Sequence, residues 1–375
     1  LLLNYVSVLC KQHDKQGGVA RINPDLVLEL VDAKLQDYIS KMQHKLEAPR
    51  TQIDIDLANV VKKYSAGTKK KGGQPVNSTN AILSLYYGLL IRLMGFFLRN
   101  CISPDIIFMC GEDMSVQLVE ELFIRKYNGV DKLFSADVTQ MDASHNPDTY
   151  LFFSHLFALF MSDLYDTSYD LYGMFMACSE LWYTSSNLFP LKARSHFFLS
   201  SGLPWTLMLN TVTCAYYSGI LKPYQSIKFA AYVGDDSVEC LRPGFDVSLD
   251  VLGRFGVQIK PLYTRGYAEF VHRIFSKEGS SLILTRVAAK LVSHRTVCGP
   301  HQQEEFSEYI KGWKENNRRD FSCERYATTL ALNILYHGEN FSPIIEGLFE
   351  LLNVVQCTEA RRLYRSLVEL NVLGF

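Results

Sequence analysis

Chemistry is first legible at Gly234-Asp235-Asp236, two adjacent acids behind a glycine and between two apolar stretches. Ile227–Val233 and Ser237–Leu241 read as strands, so the acids fall in the tight turn of a hairpin. Glycine there admits the positive φ that a tight turn needs. Two carboxylates at a buried turn repel each other and raise their own pKa values, and a divalent cation removes that difficulty. An exposed Gly-Asp hairpin is the plain alternative, and such a tripeptide recurs by chance roughly once in tens of chains of this length. A second pair of acids stands in Asp137-x4-Asp142, at the end of the strand pattern Leu133–Val138. Asp137 can supply the other side of a metal site. Mg²⁺ prefers a few carboxylates completed by substrate phosphates. Acids on two separate strands suit a pair of ions roughly 3.5–4 Å apart. The chemistry of such a site is activation of a 3′-hydroxyl and retention of a triphosphate with its leaving pyrophosphate.

The third group is Ser201-Gly202-Leu-Pro-Trp-Thr206-Leu-Met-Leu-Asn210-Thr211, which fits S-G-x3-T-x3-N-T. Five fixed residues meet by accident roughly once in thousands of such chains. Ser201-Gly202 makes a flexible turn where a backbone can approach a nucleic acid. Thr206 and Asn210 are four apart and share one helix face. An amide at Asn210 with Asp142 nearby can hydrogen-bond a ribose 2′-hydroxyl, the group that separates RNA from DNA precursors.

The elements that must position these groups follow from the pattern around them. Thr149–Leu164 is aromatic and apolar at helical spacing, and Leu207–Leu221 reads as a buried helix. Asp246–Phe255 reads as a helix stopped by Gly256, and beyond Lys290 the pattern is mostly helical. Ser65–Pro75, which carries Lys69, Lys70 and Lys71, reads as an exposed basic loop. Ala81–Leu98 is the most apolar long run, but Arg92, Gly88 and Gly95 interrupt it, so a buried helix is expected rather than a membrane span.

The bulk numbers are those of a globular chain: 375 residues, 48% hydrophobic, 21% charged, with a net charge of −1. That balance offers no general attraction for nucleic acid, so any RNA path must come from local charge. The nine cysteines are odd in number and form no C-x-x-C pair, which argues against a disulfide framework and a zinc ribbon. A reducing cytosolic setting is expected. The first residue is Leu1, with no basic segment ahead of an apolar run, so a piece of a longer chain is expected and a signal peptide is not.

Taken together and in this order, the three groups resemble the palm of positive-strand RNA virus RNA-dependent RNA polymerases. Asp137 and Asp142 match its first motif, Ser201, Gly202, Thr206, Asn210 and Thr211 its second, and Gly234, Asp235 and Asp236 its third. The resemblance implies an α+β right-hand fold: fingers and N-terminal region over 1–131, palm over 132–275 with part of the fingers inserted, and a mostly helical thumb over 276–375. It implies that Asp137 and Asp235 hold two Mg²⁺ ions (Mn²⁺ being a possible substitute) with Asp236 assisting, and that Asp142 and Asn210 select the ribonucleotide. Gly256-Val-Gln-Ile-Lys260 is similar to the fourth motif, whose lysine protonates the leaving pyrophosphate, help worth roughly 10²–10⁴ in rate. Glu269–Phe275 and Thr285–Leu291 are similar to the primer-grip region of alphavirus-like, tobamovirus-like replicases, and Leu363–Leu370 to their tails.

The pattern departs from the family in two places. The finger motif that clamps the triphosphate has as its candidate Lys69-Lys70-Lys71, without a nearby arginine and its bidentate fork. Ser144-His145 stands where many relatives have Ser-Gln, and no function attaches to it. The expected partners are RNA template and product and nucleoside triphosphates. Helicase and methyltransferase portions of a larger replicase polyprotein are also expected, in complexes on host membranes in the cytoplasm.

Three other classes fit parts of the pattern. A reverse transcriptase shares the palm, but has an aromatic gate where Asp142 stands and lacks the Asn210-Thr211 helix. A non-catalytic scaffold for RNA or helicase partners has no need of the carboxylates. A metal-dependent nuclease explains the acids and not Asn210-Thr211.

Overall fold

The computed structural model describes residues 59–63, 74–78, 103–110, 115–167, 205–245, 257–295 and 302–359, with isolated positions outside these. The first elements are a hairpin of β1 (Asn59–Lys63) and β2 (Gln74–Ser78), strand β3 (Ile106–Phe108) and helix α1 (Val116–Lys126). Strand β4 (Leu133–Val138) leads into a single helical turn α2 (Met141–Ser144) and a long helix α3 (Pro147–Thr167). Helix α4 (Thr206–Leu221) precedes β5 (Ile227–Val233), β6 (Asp236–Leu241) and β7 (Ile259–Thr264). A meander β8 (Tyr267–Phe270), β9 (Arg273–Ser276) and β10 (Gly279–Leu282) follows, then helices α5 (Leu284–Arg295), α6 (Gln302–Asn317), α7 (Tyr326–His337) and α8 (Ser342–Cys357). The architecture is mixed helix and sheet. The chain divides into two units, the second formed by Tyr64–Gly73, Glu120–Val130 and Thr264–Phe375 and the first by the rest.

In the first unit a five-stranded sheet has the order β3-β5-β6-β4-β7. Its central strands are antiparallel, while β3 runs parallel to β5. β5 and β6 are interior strands and almost continuously buried, as strands covered on both faces are; β5 is mostly apolar, while β6 carries the buried polar residues Ser237 and Glu239. Helix α4 is buried along most of its length, from Met208 to Ser218 and again at Leu221. α3 packs on it, with Phe152 and Tyr216 stacked at 5.1 Å between ring centroids. A buried ion pair joins Lys222, just past α4, to Glu239 of β6; Tyr232 donates to the same carboxylate at 3.0 Å and Lys222 sits over the Phe134 ring.

The sequence-expected strands and the helices over Thr149–Leu164 and Leu207–Leu221 are present with shifts of a few residues. Pro75 is an exception: it lies in β2 opposite Lys62, not in a loop. A two-stranded sheet is all edge, and an edge strand tolerates a residue without an N–H. In the run 81–98, the described positions Ile91, Met94 and Leu98 are helical and buried. No described helix is long and apolar enough to cross a membrane. The helix expected at Asp246–Phe255 falls almost wholly outside the described residues.

The second unit joins the meander to helices α5–α8. Leu284, Val287, Ile345, Phe349 and Leu352 form its core. The Asn333 side chain accepts from Leu284 N–H and donates to the Leu282 and Thr329 carbonyls, all at 2.9 Å, and so ties β10, α5 and α7 together. Buried Glu120 takes Arg325, Arg319 and Ser280 as partners. The β8–β9 turn holds Val271 at φ 47 and His272 at φ 62. A primed two-residue turn needs positive φ at both positions. Here it is met without glycine, at a cost of about 1–3 kcal/mol per residue.

Candidate active site

The carboxylates come together through strand register. β4 runs antiparallel to β6, and its last rung sets Asp137 opposite Asp236. The same Asp236 is opposite Val233 of β5, so Gly234-Asp235 is a two-residue hairpin turn. Gly234 takes φ +57, which a β-carbon would strain. Asp235 is exposed at the tip. Asp236 is a strand residue, half-buried, rather than a turn residue as the pattern suggested. Two distant stretches of chain thus bring three acids to one end of the sheet.

β7 brings Lys260 to the same end. Its Nζ lies 3.4 Å from Asp137 Oδ2, with the two side chains 71% and 51% exposed. A pair so open to water contributes little to stability. The approach is held from behind by the backbone, where Thr139 N–H donates to the Gln258 carbonyl at 2.9 Å.

Between Asp137 and Asp142 the chain turns sharply at Gln140, a non-glycine residue at φ 53, ψ 53. Left-handed backbone of this kind gathers at functional sites, where the surroundings enforce it. The turn swings Asp142 onto α2, facing α4. There Asn210 Nδ2 donates to Asp142 Oδ1 at 2.8 Å. Asn210 Oδ1 faces His145 Nε2, also at 2.8 Å. Seven residues on, Tyr217 donates to the Ser144 carbonyl at 2.8 Å, and burial pushes its hydroxyl up to about 12. One face of α4 therefore grips α2 at Asp142, Ser144 and His145.

The neighbouring face of α4 grips the acidic turn. Thr211 Oγ1 accepts from Gly234 N–H at 2.9 Å and donates to the Leu207 carbonyl at 2.7 Å. Cys214 Sγ lies 3.9 Å from the Asp235 carbonyl. Burial, then the charge of Glu239, pushes the Cys214 thiol up.

Asp137, Asp142, Asn210, Thr211, Gly234, Asp235, Asp236 and Lys260 are thus gathered around α4 and the sheet end. Thr206, at the start of α4, is half-buried. Ser201, Gly202, Lys69, Lys70 and Lys71 lie outside the described residues. Among the described residues, no group of three or more His, Cys, Asp or Glu side chains is arranged to hold a metal ion. Sequence reasoning missed His145 and Tyr217. For Tyr217 the one available signal was spacing, since a side chain seven beyond Asn210 returns to the same face of α4; His145, extended just past α2, had no such signal.

No protein-family model matches this chain. No curated protein sequence matches it either. Among solved structures it is similar to the insertion-loop deletion mutant of the RNA-dependent RNA polymerase of a human picobirnavirus. That likeness has 15% identity and a TM-score of 0.43, covering 83% of this chain and 64% of the other. It is also similar to the BmCPV RNA-dependent RNA polymerase in its elongation state, with 11% identity and a TM-score of 0.36, over 76% of this chain and 29% of the other. The chain spans less than two thirds of the length of either.

Proposed function

We propose that this protein is an RNA-directed RNA polymerase, adding ribonucleotides to the 3′ end of a growing RNA on an RNA template. The observation that carries the reading is the last rung of the β4–β6 ladder, Asp137 opposite Asp236 with Asp235 at the adjoining tip. Nothing in the packing of these strands calls for three acids in one place.

The donor set is oxygen only, which fits Mg²⁺ or Mn²⁺ and not a soft metal. Mg²⁺ is bound through one or two carboxylates with substrate phosphates and water, so an all-protein cage of three side chains is not required. Asp137 and Asp235, assisted by Asp236, would hold the ions, which supply neutralisation of phosphate charge and a more acidic attacking hydroxyl. The protein's own groups do the rest. Asp142 and Asn210 meet the ribose of the incoming nucleotide. Lys260, on the open side of Asp137, carries the proton that the leaving pyrophosphate takes up. Thr206, at the start of α4, and the preceding Ser201 and Gly202 would contact the nucleotide, and Lys69, Lys70 and Lys71 would offer point charges to the triphosphate.

On the same reading 1–131 carries fingers, 132–275 the palm and 276–375, with α5–α8, the thumb, and Glu269–Phe275, which holds the Val271-His272 turn, belongs to the primer grip. The wider setting is replication and transcription of a viral RNA genome in an alphavirus-like replicase. Helicase and methyltransferase portions would work beside it, on membranes in the host cytoplasm. The likeness of Glu269–Phe275, Thr285–Leu291 and Leu363–Leu370 to such replicases supports that setting.

The test is template-directed incorporation of labelled ribonucleotides on a primed RNA with Mg²⁺, comparing the protein with its Asp235→Asn variant. Extension that follows the template and vanishes in the variant is the expected result. Extension unchanged in the variant would overturn the assignment.

A further inference from the structure

We propose that His145 is a positioning residue for ribose selection, fixing the Asn210 amide so that it presents an N–H to the sugar. The proposal rests on the polymerase reading above and adds a residue to which the sequence attached no function.

The hydrogen bonds determine both the amide orientation and the imidazole tautomer. Asn210 lies between two partners, Asp142 Oδ1 and His145 Nε2, each at 2.8 Å. A carboxylate only accepts, so the amide must turn its Nδ2 toward Asp142. The opposite flip would press amide oxygen against carboxylate oxygen. Asn210 Oδ1 therefore faces the imidazole, and it can be satisfied only if Nε2 carries the hydrogen. His145 Nδ1 lies 3.4 Å from the Thr149 hydroxyl. The Thr149 hydroxyl, at the start of α3, accepts from Asn146 N–H at 3.1 Å, and its one hydrogen is shared between His145 Nδ1 and the Asn146 carbonyl, the latter at 2.8 Å. His145, Thr149 and Asn210 are all buried, at 5%, 0% and 8% exposure. The relay is therefore shielded from water on the side away from Asp142, which is half-buried.

A primary amide has two N–H donors and a carboxylate two oxygens. Asp142 takes one donor and gives up one acceptor to it. The second N–H and the second oxygen make the donor-and-acceptor pair that a 2′-hydroxyl matches from both sides. A 2′-deoxy sugar matches neither. Without the His145 donor the amide is held from one end only, and its second N–H loses its aim.

The experiment measures the ratio of kcat/KM for GTP against 2′-dGTP on a primed RNA, and the ratio of their binding affinities, in the wild type, His145→Leu and His145→Gln. A ratio is insensitive to the folded fraction, so a less stable variant still reports. Glutamine restores an N–H donor at similar reach, whereas leucine fills the space without one. The expected result is a preference for GTP that drops about fivefold to tenfold in His145→Leu, the worth of one hydrogen bond, and is largely regained in His145→Gln. A wild-type ratio in His145→Leu overturns the proposal, and if Asp235→Asn still abolishes extension, the polymerase reading stands without it. A wild type that neither extends RNA nor prefers GTP in binding overturns both.

Discussion

Thr211 and Gly234 are joined by a 2.9 Å hydrogen bond from the glycine N–H to the threonine hydroxyl, inside the core and between α4 and the acidic turn. The bond couples the helix that carries Asn210 to the turn that carries Asp235. Thr211→Val keeps the volume and leaves a buried N–H without its acceptor. We expect a stability loss of about 1–3 kcal/mol by denaturant unfolding, together with slower RNA synthesis, and Thr211→Ser to restore both. Unchanged stability and rate in Thr211→Val would show that the turn holds its shape unaided.

On the proposed mechanism, Asp137 and Lys260 pair for function rather than for stability. Both side chains are open to water, at 51% and 71% exposure. Lys260→Met should leave the melting temperature where it is and slow synthesis on the order of 10²–10⁴-fold, the range of general acid catalysis. Asp137→Asn should cost on the order of 10²–10³-fold or more, because metal charge stabilisation is worth several kcal/mol. A chelator should reproduce that loss reversibly in the wild type. A Lys260→Met enzyme at full rate would remove the lysine from the mechanism.

The Lys222–Glu239 pair reverses this logic, being fully buried. Lys222→Met leaves a buried carboxylate unpaired and should destabilise the protein by about 3–5 kcal/mol. The double variant Lys222→Met with Glu239→Gln keeps an acceptor for the Tyr232 hydroxyl and removes both charges. It should recover most of the loss in denaturant titrations. Equal stability of the single and double variants would show that the pair is not coupled.

The cysteines should sort by depth. Burial, reinforced by Asp131 at 3.8 Å, pushes the Cys240 thiol up to about 12, and Cys214 is raised as well. Cys323 and Cys357 are exposed. The thiolate is the reactive form. At pH 8 an alkylating reagent should label Cys323 and Cys357 in the native protein and Cys214 and Cys240 only after unfolding, as read by mass spectrometry. Native labelling of Cys214 would mean that α4 opens away from the turn.

Much of the site is legible in the amino-acid sequence, because short-range rules govern it. Strand, glycine and two acids specify a hairpin with its acids at one end, and the four-residue spacing of Thr206 and Asn210 specifies a shared helix face. The local pattern marks β4 and β6 as strands, but not which of their residues become neighbours. That Asp137 stands opposite Asp236 is a matter of register between strands about a hundred residues apart, and register is set by packing across the whole sheet. Lys260 reaches Asp137 only because β7 lies beside β4. His145 stood out in the sequence only as a departure from the Ser-Gln of many relatives, with no function attached. A histidine acquires its role from what it meets, and the partner that gives it one, Asn210, is 65 residues away along the chain. The sequence by itself thus determined which chemical groups are available and on which local elements they ride. The tertiary structure alone decided which of them meet, because contacts between distant segments follow from burying the apolar faces of those elements, not from the identity of the polar residues they bring together.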